Sequence, residues 1–174
     1  MKVIVSDPIS EDGLNILYEN NIEVIDATDA VIDQNYEHIA TANGWVIRSG
    51  TVLDSSIISK ADNLSVIGRA GVGIDNVDIS AATRKGVVVM NTPDANTISA
   101  AEHTMALILS LSRNVSYGHQ SILKGEWERH KFVGSELRTK TLGIIGLGKI
   151  GREVMQRALG FNMKILGFDP FIKE

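Results

Sequence analysis

The sequence predicts an α/β protein built on a doubly wound parallel sheet, and three observations carry that prediction. Short apolar runs recur along the first half: Val3-Ile4-Val5, residues 22–25, Trp45-Val46-Ile47, residues 64–67 and residues 87–90. The runs are continuous rather than alternating, the pattern of strands covered on both faces. Helical stretches separate them, and strand–helix alternation implies parallel pairing.

Taken in order, helices are expected at residues 11–19, 35–41, 54–61 and 78–85, so five strands with four helices between them are complete by residue 91. A second region opens at Ser99-Ala100-Ala101-Glu102, which reads as a capping box. The helix it starts is expected to span residues 99–123 without interruption. Met105, Ala106, Leu107, Ile108, Leu109 and Leu111 make it apolar on nearly every side. Such a helix is expected to be buried all round, between domains or at a subunit interface. His103 falls inside it and reads as a hydrogen-bonded structural histidine. A polar stretch over residues 125–140 then leads to a strand at 141–146.

Composition narrows the classes of function. The chain has 174 residues, 44% hydrophobic and 22% charged, with a net charge of −4 and no cysteine. That excludes a disulfide framework, a thiolate zinc site and a cysteine nucleophile. The charge gives no basis for a nucleic-acid partner. No apolar stretch approaches the ~20 residues of a membrane span, and the N-terminal apolar run is too short for a signal peptide. A soluble, cytoplasmic protein without membrane partners is expected. His38, His119 and His130 have no spacing that suggests a metal site or an acid–base pair.

The chemistry-bearing motif is Gly146-Leu147-Gly148-Lys149-Ile150-Gly151, a GxGxxG directly after an apolar strand and before a helical run. Gly146 suits a tight turn, Gly148 lets the backbone approach a pyrophosphate, and Gly151 lets helix and strand pack closely. The helix N-terminus supplies N–H groups and the positive end of its dipole. A second strand at 163–168 ends in Asp169, 18 residues past the last glycine. A carboxylate near that spacing accepts hydrogen bonds from a ribose 2′-hydroxyl and repels a 2′-phosphate, favouring NAD over NADP. A second glycine-bearing segment, Gly68 through Asn76, follows the fourth strand at a carboxyl edge, where doubly wound sheets bind ligands. Arg48 and Arg69 also sit at strand ends and are candidates to hold a carboxylate or phosphate; solvated arginines on a plain turn are the alternative.

Together these segments resemble the D-isomer-specific 2-hydroxyacid dehydrogenases. The resemblance also runs through Val46-Ile47-Arg48-Ser49, Asn91-Thr92-Pro93-Asp94-Ala95-Asn96-Thr97, Ala100 through Leu111, and Gly167-Phe168-Asp169-Pro170-Phe171. It implies a flavodoxin-like substrate domain over residues 1–97, and the opening part of a Rossmann NAD-binding domain over residues 98–174. It implies that Val72 and Gly73 offer N–H groups to a substrate carboxylate, with Val72 near the nicotinamide. Arg48 would face a substrate phosphate, Lys149 and Ile150 would contact the cofactor pyrophosphate, and Asp169 would bind the ribose. The family's catalytic arginine, glutamate and histidine match no position in this chain, and His103 does not replace the histidine. The expectation is therefore an N-terminal portion, inactive alone, of an NAD-dependent oxidoreductase acting on a small 2-hydroxy acid. Arg48 and Arg69 lean toward a phosphorylated one. A glyoxylate/hydroxypyruvate or D-lactate type reductase is the alternative within the class, and a non-catalytic NAD-sensing, corepressor-like protein the alternative outside it. A homodimer through the 99–123 helix is also expected.

Overall fold

Residues 1–172 are described by a computed structural model, in which the chain divides into two units, Met1–Ala95 and Asn96–Glu174. In the first, the apolar runs become strands β1 (Lys2–Val5), β2 (Glu23–Asp26), β3 (Gly44–Ile47), β4 (Val66–Arg69) and β5 (Val88–Asn91). All pair in parallel, in the order β2-β1-β3-β4-β5. This is the flavodoxin-like order, whose reversal of winding falls between β1 and β3.

Helices α1 (Glu11–Glu19), α2 (Ser55–Lys60) and α3 (Ile79–Lys85) connect the strands, and each starts on a side-chain cap. Ser10 accepts from Gly13 N–H, Asp54 from the N–H groups of Ser56 and Ile57, and Asp78 from Ala81 N–H. A cap of this kind contributes about 1 kcal/mol. At the other end of α3, Lys85 Nζ donates to the carbonyls of Ile58 and Ser59 at 2.9 and 2.6 Å, tying that helix to the last turn of α2.

Ile4, Trp45, Ile47 and Ile67, on the three central strands, are fully buried and pack with Leu53 and Ile58. Each such side chain stabilises the fold by about 1.5–3 kcal/mol. Coverage on both faces does not reach the edge strands, since Val88 and Met90 of β5 are exposed. The helix expected at residues 35–41 is only a 3-10 turn, Ile39–Thr41. Asp33 takes up the preceding backbone, its carboxylate accepting Asn35 N–H and its carbonyl accepting Tyr36 N–H. That local turn competes with helix formation.

The second unit holds α4 (Thr97–Ser112), α5 (Val115–Leu123), β6 (Thr141–Ile145), α6 (Lys149–Gly160) and β7 (Lys164–Phe168). The single helix expected over residues 99–123 is thus two helices, broken at Asn114, whose φ of 55° lies in the left-handed region that asparagine tolerates. The Ser112 carbonyl leaves the helical ladder and accepts Ser135 N–H at 2.8 Å. The capping box is also corrected: α4 starts two residues before Ser99, with Asn96 as its N-cap and the Asn96 carbonyl accepting Ala100 N–H.

All-round burial of this segment is not achieved within the chain. Of α4, only Ala101 and Met105 are buried, against Val154 and Ala158 of α6 together with Leu137 and Met163. Leu107 is exposed, as is Leu111 at 76%, and His103 is an exposed residue rather than a buried one. Among the described residues β6 pairs with β7 alone, in parallel, forming a βαβ unit around α6. No helix among the described residues is long and apolar enough to cross a membrane.

Candidate functional site

Two groups of residues meet the requirements of a ligand site, one in each unit. In the first unit the group forms where β1, β3 and β4 end. Register places Ile47 opposite Arg69, so Arg48 and Ala70 leave adjacent strands side by side. A cavity of about 420 Å³ opens there, lined by Pro8, Ile9, Ser10, Val46, Arg48 and Ala70. A second, of about 210 Å³, lies against Arg69, Ala70, Asn91 and Thr92.

The loop that carries Arg48 is held from below by Asp7, a buried residue just past the end of β1. Its carboxylate accepts Arg48 N–H at 2.6 Å and Thr51 N–H at 3.1 Å. Burial pushes the Asp7 carboxyl up, but the donors on Arg48, Thr51 and Gly50 outweigh it and hold it below the usual carboxylate range. A Cβ on Gly50 would overlap Asp7 Oδ1, so this close approach needs glycine. Next to it Ser6 Oγ accepts both Trp45 Nε1–H and the Thr51 hydroxyl at 2.9 Å. The guanidinium of Arg48 is exposed and touches the Pro8 carbonyl at 3.3 Å.

Beyond β4 the chain folds into the glycine-bearing loop. Asn91 Nδ2 donates to the Val72 carbonyl at 2.7 Å, and Thr92 N–H to the Gly71 carbonyl at 2.9 Å. Those bonds, with Ala70 N–H to the Ile47 carbonyl, shape the turn without using the N–H groups of Val72 or Gly73. Arg69 folds back over Gly71, where a Cβ would overlap its Nη1. Its Nε is buried without a hydrogen-bond partner. Such an orphaned donor suits an anion.

In the second unit the GxGxxG lies between β6 and α6. Gly146 has φ of 94°, a conformation costly for any residue with a Cβ. Gly151 sits against the preceding turn, where a Cβ would overlap the Gly146 carbonyl oxygen. Gly148 is the N-cap of α6 and offers no side chain to its first N–H groups, while the space where its Cβ would stand is open. The helix start is thus a bare cradle of backbone donors, the donor set a pyrophosphate requires.

Asp169 closes the cradle from the end of β7. Its Oδ2 accepts Leu147 N–H at 2.8 Å and its Oδ1 accepts Phe171 N–H at 2.9 Å. These two bonds, foremost that from Phe171, and the nearby Arg152 charge hold its carboxyl below the usual range. Each oxygen keeps a further lone pair for an incoming hydroxyl. Arg152 Nε completes the loop by donating to the Leu147 carbonyl at 2.7 Å.

The structure therefore brings Arg48, Arg69, Val72 and Gly73 to one sheet edge, and Gly146, Gly148, Lys149, Ile150, Gly151 and Asp169 to one βαβ turn. Sequence reasoning assigned no role to Asp7, or to Asn76, whose Nδ2 donates to the Arg48 and Thr51 carbonyls and so holds the same loop. The available signal was a polar residue standing just past an apolar strand or inside a glycine-rich loop.

The chain is similar to proteins of known activity. Two curated relatives are D-3-phosphoglycerate dehydrogenases, from Methanocaldococcus jannaschii, 49% identical over 175 residues, and Archaeoglobus fulgidus, 45% identical over 174 residues. Both alignments cover 100% of this chain and 33% of the relative, so the chain spans about a third of their length. The crystal structure of NAD+-bound 3-phosphoglycerate dehydrogenase from Entamoeba histolytica superposes with a TM-score of 0.79 at 33% identity, covering 100% of this chain and 55% of that one. The profile described as "D-isomer specific 2-hydroxyacid dehydrogenase, catalytic domain" matches residues 3–164. By that match the chain belongs to the D-isomer specific 2-hydroxyacid dehydrogenase family.

Proposed function

We propose that this chain is the anion-recognition and phosphate-cradling part of an NAD-dependent D-3-phosphoglycerate dehydrogenase. The observation that carries the reading is the arrangement at the carboxyl ends of β3 and β4. An exposed arginine, Arg48, stands there beside a turn whose Val72 and Gly73 N–H groups are not used by the turn itself. A short molecule with a phosphate at one end and a carboxylate at the other fits that pairing. The buried, unpartnered Nε of Arg69 adds a further donor at the same edge. The names of the curated relatives point to the same substrate.

Residues 1–97 then act as the substrate domain and residues 98–174 as the start of the NAD domain. The backbone of Gly148, Lys149 and Ile150 holds the pyrophosphate, Gly146 and Gly151 shape the turn, and Asp169 accepts the adenosine ribose hydroxyls. Val72 lies toward the nicotinamide. NAD held by these groups would supply the hydride acceptor for C2 of the hydroxy acid. The chain's own part is to bind and orient, since no residue in it matches the family's acid–base histidine and glutamate or its catalytic arginine. The 174 residues alone turn over no substrate. A second copy of the chain covers the exposed apolar side of α4 and α5, making a homodimer.

Titration calorimetry on the purified chain tests the reading. NAD binds more tightly than NADP, and 3-phosphoglycerate more tightly than D-lactate or D-glycerate. Equal affinity for the phosphorylated and plain acids would overturn the substrate assignment. Sustained 3-phosphoglycerate-dependent NADH production by the 174 residues would overturn the division of labour.

A further inference from the structure

Asn76 makes an unusual set of bonds. Its Nδ2 donates to the Arg48 carbonyl and to the Thr51 carbonyl, both at 2.6 Å, while its Oδ1 is buried without a partner. A buried, unsatisfied acceptor costs free energy. Its retention here gives two donors to one loop. From the other side Asp7 accepts the N–H groups of the same two residues, Arg48 and Thr51. Both backbone polar groups of Arg48 are therefore fixed, the donor by a carboxylate and the acceptor by an amide.

Asn76 is itself anchored. Its carbonyl accepts Leu53 N–H at 2.8 Å, Asp78 N–H returns to the Leu53 carbonyl at 2.9 Å, and Leu53 and Val77 form a parallel bridge. The segment that carries Arg48 is thereby stitched to the segment that carries Val72 and Gly73. Each segment alone is a loop beyond a strand end. Joined through Asn76, they keep a fixed separation.

We propose that Asn76 is a positioning residue for anion recognition, setting the distance between Arg48 and the Val72–Gly73 turn and so the length of ligand that spans them. This rests on the reading above, in which Arg48 meets the phosphate and the turn meets the carboxylate. Asn76 touches no ligand and acts through the Arg48 backbone. Aspartate cannot replace it, because a carboxylate would face two carbonyl oxygens with no proton to offer.

The test is titration calorimetry on the full chain with 3-phosphoglycerate, D-glycerate and 2-hydroxy-4-phosphobutyrate, the last one methylene longer. Asn76→Ala weakens 3-phosphoglycerate about tenfold and D-glycerate less than about twofold, losses on the scale of one or two hydrogen bonds. It also narrows the preference for 3-phosphoglycerate over the longer acid, which a residue with a merely structural role would not do. Arg48→Ala gives the same selective loss, and the double variant is no worse than Arg48→Ala alone, the signature of residues acting as a unit. If Asn76→Ala does not fold, Asn76→Ser, which keeps one donor, gives the same pattern at a smaller size. Equal weakening of all three acids, an unchanged length preference, or additive losses in the double variant would overturn the proposal while leaving Arg48 as the phosphate ligand. Should Arg48→Ala fail to discriminate phosphorylated from plain acid, the reading of Arg48 falls and this proposal falls with it.

Discussion

The Asp7 carboxylate and the Arg48 backbone N–H lie 2.6 Å apart, joining the ends of strands that are neighbours in the sheet although the two residues are 41 positions apart in the chain. Because the folded pKa of Asp7 lies below its ordinary value, the unfolded chain binds the proton more readily than the folded one. The stabilisation is complete above the unfolded pKa of about 3.9 and is lost as pH falls through the folded value. Asp7→Asn lowers stability at neutral pH by about 2 kcal/mol, since an amide turns a donor toward N–H groups that need an acceptor. The gap between variant and parent narrows as pH falls below the ordinary carboxylate value of about 3.9, where the unfolded parent takes up a proton that the folded carboxylate still resists. Thermal unfolding followed by circular dichroism between pH 3 and pH 7 measures it. A gap independent of pH would contradict the assignment.

The two alanine substitutions Gly148→Ala and Gly151→Ala separate ligand contact from packing. At Gly151 a Cβ overlaps the Gly146 carbonyl oxygen, so helix and turn must move apart, at a cost of about 1–3 kcal/mol. At Gly148 the space is open and φ is −69°, so alanine is accepted with a change in stability below about 0.5 kcal/mol. The same methyl group stands where a pyrophosphate would approach. Gly148→Ala therefore keeps the melting temperature and loses NAD affinity, while Gly151→Ala loses both. Paired melting and calorimetric titration check this.

Asp169→Asn weakens NAD binding and narrows the preference for NAD over NADP, because the amide carries no charge to repel a 2′-phosphate. Its remaining oxygen still accepts one of the N–H groups of Leu147 and Phe171, so the turn is kept. Competitive titration with the two dinucleotides gives the ratio.

Leu111 lies on the exposed apolar side of α4. If a second copy covers that side, Leu111→Glu converts a dimer to a monomer with little change in secondary structure. Light scattering across a micromolar concentration series distinguishes the states. A parent chain already monomeric throughout would remove the dimer from the reading.

How much of this was legible in the sequence depends on the range of the interaction involved. Continuous apolar runs such as Val3-Ile4-Val5 and Trp45-Val46-Ile47 set strands because burial on both faces leaves little choice of conformation. The Gly146–Gly151 turn was readable because each glycine answers a local steric demand. The break at Asn114 was not, because it depends on Ser135, far along the chain, taking the Ser112 carbonyl. The edge strand β5 reads like a central one, since composition records apolarity and not the position of a strand in its sheet. Asp7 and Asn76 were missed for the same reason as Asn114: their partners lie 41 and 28 residues away.

The loop around Leu147 has a thermodynamic consequence. Its N–H is held by Asp169 and its carbonyl by Arg152, so the turn is ordered before any ligand arrives. The entropy of fixing that backbone is lost on folding, and little remains to be lost on association. Dinucleotide binding to this turn should accordingly show a small conformational-entropy penalty, and should be weakened by Arg152→Ala through a looser unbound state, because Arg152 Nε is spent on the Leu147 carbonyl.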